Sequence, residues 1–215
     1  MLENKDVYKD LLETMAAQGL IDAWYSLGQM HEKGLADHPI NGKEAVFCYQ
    51  KAAEAGHAEA QFALAWLYDE GGLVKEDPQK AVYWYEQAIA KGHGLAMLGL
   101  AILYEEGDGI QQDLKQAMDL FMRAAELGHT LAALSLGRLY ERGSVGEKDF
   151  ERAAYWYLRA AEGNDDDAMV ALARLFETGK GVPVNIHRAM QWYDRAAQLG
   201  NETAKLRIGR IQEKQ

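Results

Sequence analysis

The sequence has 215 residues, of which 48% are hydrophobic, and this is enough apolar material for a packed core. Its 33 acidic residues outnumber 23 lysines and arginines, giving a net charge of −10. That balance argues against a general nucleic-acid binder, because phosphate contacts need clustered positive charge. The single cysteine, Cys48, excludes an internal disulfide framework and a multi-cysteine zinc site. No apolar run approaches the ~18 residues of a transmembrane helix, so no membrane insertion is expected.

A Leu or Ile followed by a small residue recurs along almost the whole chain. The spacing is 37 residues once and then 36 residues four times, and the pairs begin at Leu27, Leu64, Leu100, Leu136, Leu172 and Ile208. The extra residue falls in the first loop, between Gly34 and Lys43, where insertions are tolerated better than in packed helices. A fixed period of this length predicts a repeat architecture rather than one or two globules.

The repeat divides the chain into one domain of stacked units over residues 1–215. Residues 5–19 match the second helix of a unit and are predicted to cap the N-terminal end, and residues 202–215 match a first helix that closes the array. Stacking is required because one unit cannot bury its apolar face alone. Five complete repeats are predicted in between, at 22–57, 58–93, 94–129, 130–165 and 166–201.

Each repeat is predicted to contain two helices, A and B, as the second repeat illustrates. Helix A, Glu59 to Glu70, has apolar residues at i, i+4, i+7 and i+8, which form one stripe of a 3.6-residue period. Helix B, Gln79 to Lys91, follows Asp77 and Pro78, which suit the N-cap and the first helical turn. Gly92 then ends the helix in the position where a left-handed residue is favoured.

Several of these segments resemble the Sel1-like repeat. The resemblance is carried by LGRLYERG at 136–143 with AAYWYLRAA at 153–161, by KAVYWY at 80–85 and by RAMQWY at 188–193, and it recurs in five repeats. It implies an all-α fold, a right-handed solenoid or superhelix of antiparallel helix pairs similar to tetratricopeptide (TPR-like) repeats. It also implies a concave face lined mainly by the A helices, and an interaction scaffold or adaptor, often bacterial, rather than an enzyme.

The sequence contains no convincing catalytic or metal-binding arrangement. His57, His93 and His129 lie 36 residues apart, so packed helices would hold them roughly 8–10 Å from one another, too far to share one ion. We interpret them as polar residues near helix starts, and the acidic run 165–167 as a loop that favours the start of the next helix. Cys48 occupies a repeat position held elsewhere by tryptophan, which predicts a buried side chain rather than a nucleophile. No phosphate loop, nucleophile elbow or zinc-protease motif is present, so no enzyme activity, cofactor or metal is expected.

Three columns of A-helix residues are expected on the concave face. The column two before the repeated Leu is apolar, and packing between helices is an alternative to partner binding: Tyr25, Phe62, Leu98, Leu134, Val170 and Leu206. The column two after it changes from apolar to basic along the chain: Gln29, Trp66, Ile102, Arg138, Arg174 and Arg210. The column five after it is acidic, and Glu is common there in Sel1-like repeats: Glu32, Asp69, Glu105, Glu141, Glu177 and Glu213.

From these columns we predict a partner-binding groove. The arginines are also predicted to pair at i, i+3 with the acidic column along the same helix, as in Arg138–Glu141, Arg174–Glu177 and Arg210–Glu213. The predicted partner-binding residues are Tyr25, Phe62, Trp66, Leu98, Ile102, Glu105, Arg138, Glu141 and Arg174.

Charge is distributed unevenly along the chain. Residues 1–107 contain 8 lysines, no arginine and 17 acidic residues, whereas residues 108–215 contain 15 basic and 16 acidic residues. A bound segment is therefore expected to place basic and apolar residues near the first three repeats and acidic residues near the last two. Drift among surface charges is the alternative explanation.

The sequence thus predicts a non-enzymatic adaptor that holds a protein or peptide partner in its concave groove, with a bacterial role in regulation, secretion or toxin immunity. One alternative is an enzyme or binder acting on cell-wall or β-lactam compounds, by analogy with cysteine-rich Sel1-like relatives whose cysteine pairs this chain lacks. Another is a consensus-derived repeat protein without a natural ligand. The start, 1–6, lacks the apolar stretch of a signal peptide, so a cytoplasmic location is expected, or a periplasmic one if a leader has been removed.

Overall fold

A computed structural model describes residues 3–35 and 38–213. Part of the first loop (Ala36 and Asp37) and the last two residues of the predicted closing half-repeat (Lys214 and Gln215) lie outside the described residues. Within the described ranges the chain forms twelve α-helices and no strand, which confirms the predicted all-α fold class. The helices are α1 Glu3–Ala17, α2 Ile21–Lys33, α3 Gly42–Glu54, α4 Ala58–Glu70, α5 Pro78–Ile89, α6 Gly94–Glu106, α7 Leu114–Glu126, α8 Thr130–Arg142, α9 Phe150–Glu162, α10 Asp166–Thr178, α11 Ile186–Gln198 and α12 Glu202–Gln212.

Packing divides the helices into two compact units. Unit 1 is Met1–Gln112 and unit 2 is Asp113–Gln215. In unit 1 each of α1 to α5 packs on the helix that follows it, and in unit 2 the same holds for α7 to α11. We call the even-numbered helices A helices and the odd-numbered ones B helices. Contact between successive helices is what a repeat architecture requires.

The core alternates small and large residues at fixed repeat positions. The small residues of the B helices are completely buried, and they allow neighbouring helices to approach closely: Ala45, Ala81, Ala117, Ala153 and Ala189. Aromatic rings four residues later fill the space beside them with at most 1% of their surface exposed: Tyr49, Tyr85, Phe121, Tyr157 and Tyr193. Burial of these large rings supplies much of the hydrophobic stabilisation of each repeat.

Polar side chains begin the helices at repeated positions. Each B helix from α3 to α11 starts after an Asn or Asp whose side-chain oxygen accepts a backbone N–H of the first turn: Asn41, Asp77, Asp113, Asp149 and Asn185. Such caps satisfy N–H groups that lack a partner inside the helix. In the second repeat, α4 and α5 start at Ala58 and Pro78, each one residue before the start predicted from the sequence.

Candidate functional site

His57, His93 and His129 each lie directly before the first residue of an A helix. The Nδ1 atoms of His57 and His93 each accept the backbone N–H three residues later, at 3.2 Å, and so cap α4 and α6. The ring of Tyr25 stacks on His57 and that of Phe62 stacks on His93, with centroids 4.7 Å apart in both pairs. His129 precedes α8 at the same position, where the described residues provide no side-chain capping bond. His57 and His93 therefore each cap one A helix and stack on an aromatic ring of the preceding A helix.

The apolar column differs from repeat to repeat in its exposure. Tyr25 and Phe62 are half-buried because they cover the capping histidines, and Leu134 is 3% exposed. Leu98 and Val170 are half-buried, whereas Leu206 on α12 is 66% exposed. Packing between helices thus accounts for much of this column, with Leu206 as the exposed exception.

The acidic column accepts hydrogen bonds from the buried tyrosines of the B helices. Burial is the main cause that raises the pKa of each tyrosine, so the hydroxyls stay protonated and act as donors. The third repeat has Phe121 in place of the tyrosine and therefore lacks the donor that would reach Glu105. The pairs are Tyr49 with Glu32, Tyr85 with Asp69 at 2.8 Å, Tyr157 with Glu141 at 2.8 Å and Tyr193 with Glu177 at 2.9 Å.

The predicted ion pairs along single helices are wrong for Arg138 and Arg174, because these two arginines pair with carboxylates of adjacent A helices instead. Arg174 donates to both carboxylate oxygens of Glu141, at 2.7 and 2.8 Å, across from α10 to α8. Arg138 reaches from α8 to Asp167 on α10 at 3.3 Å. Arg207 on α12 lies 3.9 Å from Glu177 on α10. Glu141 and Glu177 therefore each accept a hydrogen bond from a B-helix tyrosine and lie within 4 Å of an arginine of the following A helix.

In unit 1 the A helices carry an apolar strip, which we define as Phe62, Trp66, Leu98 and Ile102. These side chains lie on α4 and α6, two A helices that contact each other. None of the four is buried, and Trp66 is 41% exposed. Four of the predicted binding residues therefore lie on two A helices that contact each other, and Trp66 is the exposed one among the four.

In unit 2 the A helices line an open polar pocket of about 530 Å³. It brings together five residues of the three columns, namely Leu134, Arg138, Glu141, Val170 and Arg174. Most of the other lining residues lie at helix ends or in loops, or one position away from a column, so the columns do not contain them. They are Arg142, Lys148, Phe150, Tyr157, Asp167, Ala171, Lys180, Tyr193, Thr203 and Arg207.

A larger and mostly apolar pocket, of about 780 Å³, lies on the other face of α10. Leu172 and Phe176 of α10 contribute to it, and the B helices α9 and α11 form its sides through residues that include Tyr155 and Trp192. The guanidinium of Arg188 lies 5.7 Å from the ring of Phe176. The corresponding contact in the second repeat, Lys80 with Tyr68, shows that this cation–π pair belongs to the repeat.

The acidic run beside the polar pocket starts α10. Asp165 accepts the backbone N–H of Ala168 at 2.7 Å, and Asp166 and Asp167 occupy the first helical turn, where the helix dipole favours negative charge. Burial raises the pKa of Asp165, and the two neighbouring carboxylates add to the increase. The amide of Asn201 donates to Asp166 at 2.9 Å.

Asp165→Asn is expected to reduce the loss of folding stability that accompanies rising pH. The reason is that Asp165 binds its proton more tightly in the folded chain than in the unfolded chain. Wild-type stability is then lost as pH rises from the ordinary value of 3.8 through the raised pKa. An asparagine keeps the cap, as Asn201 does for α12. Urea unfolding from pH 4 to pH 7 would measure the free energy of unfolding of both proteins. The stability of the variant relative to the wild type should increase as pH rises. A difference that does not change with pH would contradict this reasoning.

The surroundings of Cys48 fit a structural role rather than a chemical one. Cys48 is 4% exposed, and burial raises the pKa of its thiol to about 12, so the thiol stays protonated. Over residues 3–35 and 38–213, no group of three His, Cys, Asp or Glu side chains is arranged to hold a metal ion. Nor does any helix in those ranges combine the length and apolarity needed to cross a membrane.

Comparison with known proteins identifies the repeats. The Sel1 repeat model matches residues 21–57, 58–93, 94–129, 130–165 and 166–201. A search of curated proteins gave no match. Among solved structures, a protective antigen of uropathogenic Escherichia coli with an SLR fold is 32% identical, with a TM-score of 0.91 over 95% of this chain and 44% of the antigen. This chain therefore spans less than half of that relative.

Two further solved structures are similar. A Sel1 repeat protein from Oxalobacter formigenes is 33% identical, with a TM-score of 0.78 over 94% of this chain and 82% of the other. An immunity protein from Pseudomonas aeruginosa is 27% identical, with a TM-score of 0.51 over 86% of this chain and 67% of the other. The five matches to the family model agree with the helix pairs of the structure. The chain therefore belongs to the Sel1 repeat family.

Proposed function

We propose that the protein is a non-enzymatic scaffold that binds a protein or peptide partner through its A helices. Sel1 repeat proteins are generally non-catalytic interaction scaffolds, which supports this class of function. The observation that carries the proposal is the apolar strip of unit 1, where Trp66 stays 41% exposed. Contiguous exposed apolar surface marks interaction sites, and tryptophan is among the residues that most often anchor an interface.

The biological role we propose is bacterial regulation, secretion or toxin immunity, with the cytoplasm as the expected compartment. Similarity to three Pseudomonas aeruginosa structures, two of them described as immunity proteins, supports toxin immunity among these roles. The concave groove predicted from the sequence remains part of the proposal, with the apolar strip as its anchor in unit 1.

Trp66→Ala is expected to weaken partner binding about tenfold, because the indole supplies the largest apolar contact of the strip. The partner would first be captured from the source bacterium with the intact protein and identified. Its dissociation constant would then be measured by calorimetry for the wild type, Trp66→Ala and Tyr83→Ala. Tyr83 is a matched control, since it is 51% exposed but lies on the B helix α5.

Thermal unfolding of all three proteins would show that the substitutions leave the fold intact. Equal affinity of the partner for Trp66→Ala and the wild type would contradict the role of the apolar strip. Binding lost equally in both variants would place the interface elsewhere.

The alternative function, an enzyme or binder acting on cell-wall or β-lactam compounds, would use the apolar pocket of unit 2. The described lining of that pocket contains the carboxylates of Glu151 and Asp194 and the hydroxyl of Tyr155, but no Ser, Thr, Cys, His or Lys side chain. Turnover of such a compound that survives repurification, and that is lost in Trp192→Ala, would favour the alternative over the scaffold.

A further inference from the structure

The polar pocket of unit 2 concentrates positive charge in a chain that is acidic overall. Unit 2 contains 15 basic and 15 acidic residues, so its net charge is zero. Only two carboxylates line the pocket, those of Glu141 and Asp167. Six cations line the same pocket: Arg138, Arg142, Lys148, Arg174, Lys180 and Arg207. The pocket therefore has a surplus of four positive charges.

The two carboxylates neutralise only part of this charge. Glu141 is bound by Arg174, and Asp167 by Arg138. Among the described residues, no carboxylate pairs with Arg142, Lys148 or Lys180. Three exposed cations therefore line the pocket without a carboxylate partner among the described residues, whereas Arg138 and Arg174 are paired.

Hydrophobic side chains accompany the charges. Phe150 and Val170 line the pocket and are half-buried, so both present apolar surface to it, whereas Leu134, Tyr157 and Tyr193 line it with at most 3% of their surface exposed. A volume of about 530 Å³ falls within the range of ligand pockets. This combination suits a short peptide, whose aliphatic carbons can contact the apolar residues while its charged groups reach the cations.

We propose that this pocket binds an acidic segment of a partner protein, with Arg142, Lys148 and Lys180 as the cations that receive its carboxylates. The inference rests on the proposed scaffold function and specifies the chemistry of the partner. A nucleic acid fits less well, because the cations are gathered in one pocket of a chain whose net charge is −10, whereas an extended polyanion needs positive charge along a longer surface.

Fluorescence anisotropy with the 215-residue chain tests the proposal. The probe is a rhodamine-labelled peptide of alternating glutamate and alanine, and the matched peptide contains glutamine in place of glutamate. Lys148→Gln/Lys180→Gln removes two pocket charges, whereas Arg123→Gln/Lys205→Gln removes two charges of unit 2 that lie outside the pocket. Both double variants change the net charge equally, so any difference between them reports on the pocket.

The glutamate peptide is expected to bind, and the pocket variant is expected to bind it about tenfold more weakly than the control variant does. Rising salt should weaken binding to the wild type, because exposed charges are screened. Equal binding of the glutamine peptide, or equal loss in both double variants, would overturn the proposal. Displacement of the peptide by inorganic phosphate at similar affinity would also overturn it, since the site would then bind small anions. Trp66-dependent binding of the natural partner would still be measurable in each of these cases and tests the scaffold function separately.

Discussion

Gly137→Ala is expected to lower the free energy of unfolding by about 2 kcal/mol, whereas Gly209→Ala is expected to raise it by up to about 1 kcal/mol. Both glycines follow the repeated Leu or Ile, in the A helices α8 and α12. The substitution and the helical position are the same. The difference in sign follows from what the added methyl group meets.

At Gly137 an added Cβ would lie 2.4 Å from ring atoms of Tyr157. That ring is 1% exposed, and its hydroxyl donates to Glu141, so the ring cannot move away without losing packing or this hydrogen bond. At Gly209 an added Cβ would meet no heavy atom of the described chain within 4 Å. Alanine there only improves helix propensity.

The second repeat shows another arrangement of the same contact. Ala65 occupies the small position, and the ring of Tyr85 lies against Gly99 of the next A helix, where an added Cβ would be 2.7 Å from Cζ. The close approach of a tyrosine to a glycine, rather than the column alone, therefore decides which substitutions are tolerated. Urea unfolding followed by circular dichroism would measure both variants, and a stability change of the same sign at Gly137 and Gly209 would contradict the steric argument.

The period of the sequence predicts the fold because every repeat carries the same small and large residues at the same positions. Buried residues such as Ala81 and Tyr85 reveal their role by recurring, and the helix boundaries follow from the capping residues between them. The recurrence of a residue type along the sequence does not show which side chains of different columns contact each other. Tyr157 and Glu141 lie 16 residues apart in two different columns, so their hydrogen bond becomes visible only when helices A and B are packed.

The candidate site was only partly predictable for two physical reasons. Spacing rules for one helix place Arg174 beside Glu177, but the guanidinium is long enough to reach Glu141 on the adjacent A helix. Lys148 and Lys180 lie in loops that follow α8 and α10, where the residue type changes from repeat to repeat, so no column of A-helix residues contains them. The exposed Trp66 was selected from the sequence, and its role in binding stays a prediction.

Tyr157→Phe is expected to lower the free energy of unfolding by about 1–2 kcal/mol, because it removes a hydrogen bond to a carboxylate. The side chain of Glu141 is only 22% exposed, so water replaces the lost donor incompletely. Phe121 stands at the same position in the third repeat and is completely buried, which shows that the fold accepts the ring without its hydroxyl. Tyr155→Phe is the matched control, since that tyrosine is 53% exposed and a change below about 0.5 kcal/mol is expected.

A double-mutant cycle with Arg174→Gln would show whether the tyrosine and the arginine act on Glu141 together. Tyr157 and Arg174 both donate to Oε2 of this carboxylate, each at 2.8 Å. Removing one donor leaves the other to orient the carboxylate alone, and removing both frees it to turn towards solvent. We therefore expect the two stability losses to be non-additive by about 0.5–1 kcal/mol. Additive losses would mean that each donor stabilises Glu141 independently, and that the buried tyrosine does not fix the charges at the edge of the polar pocket.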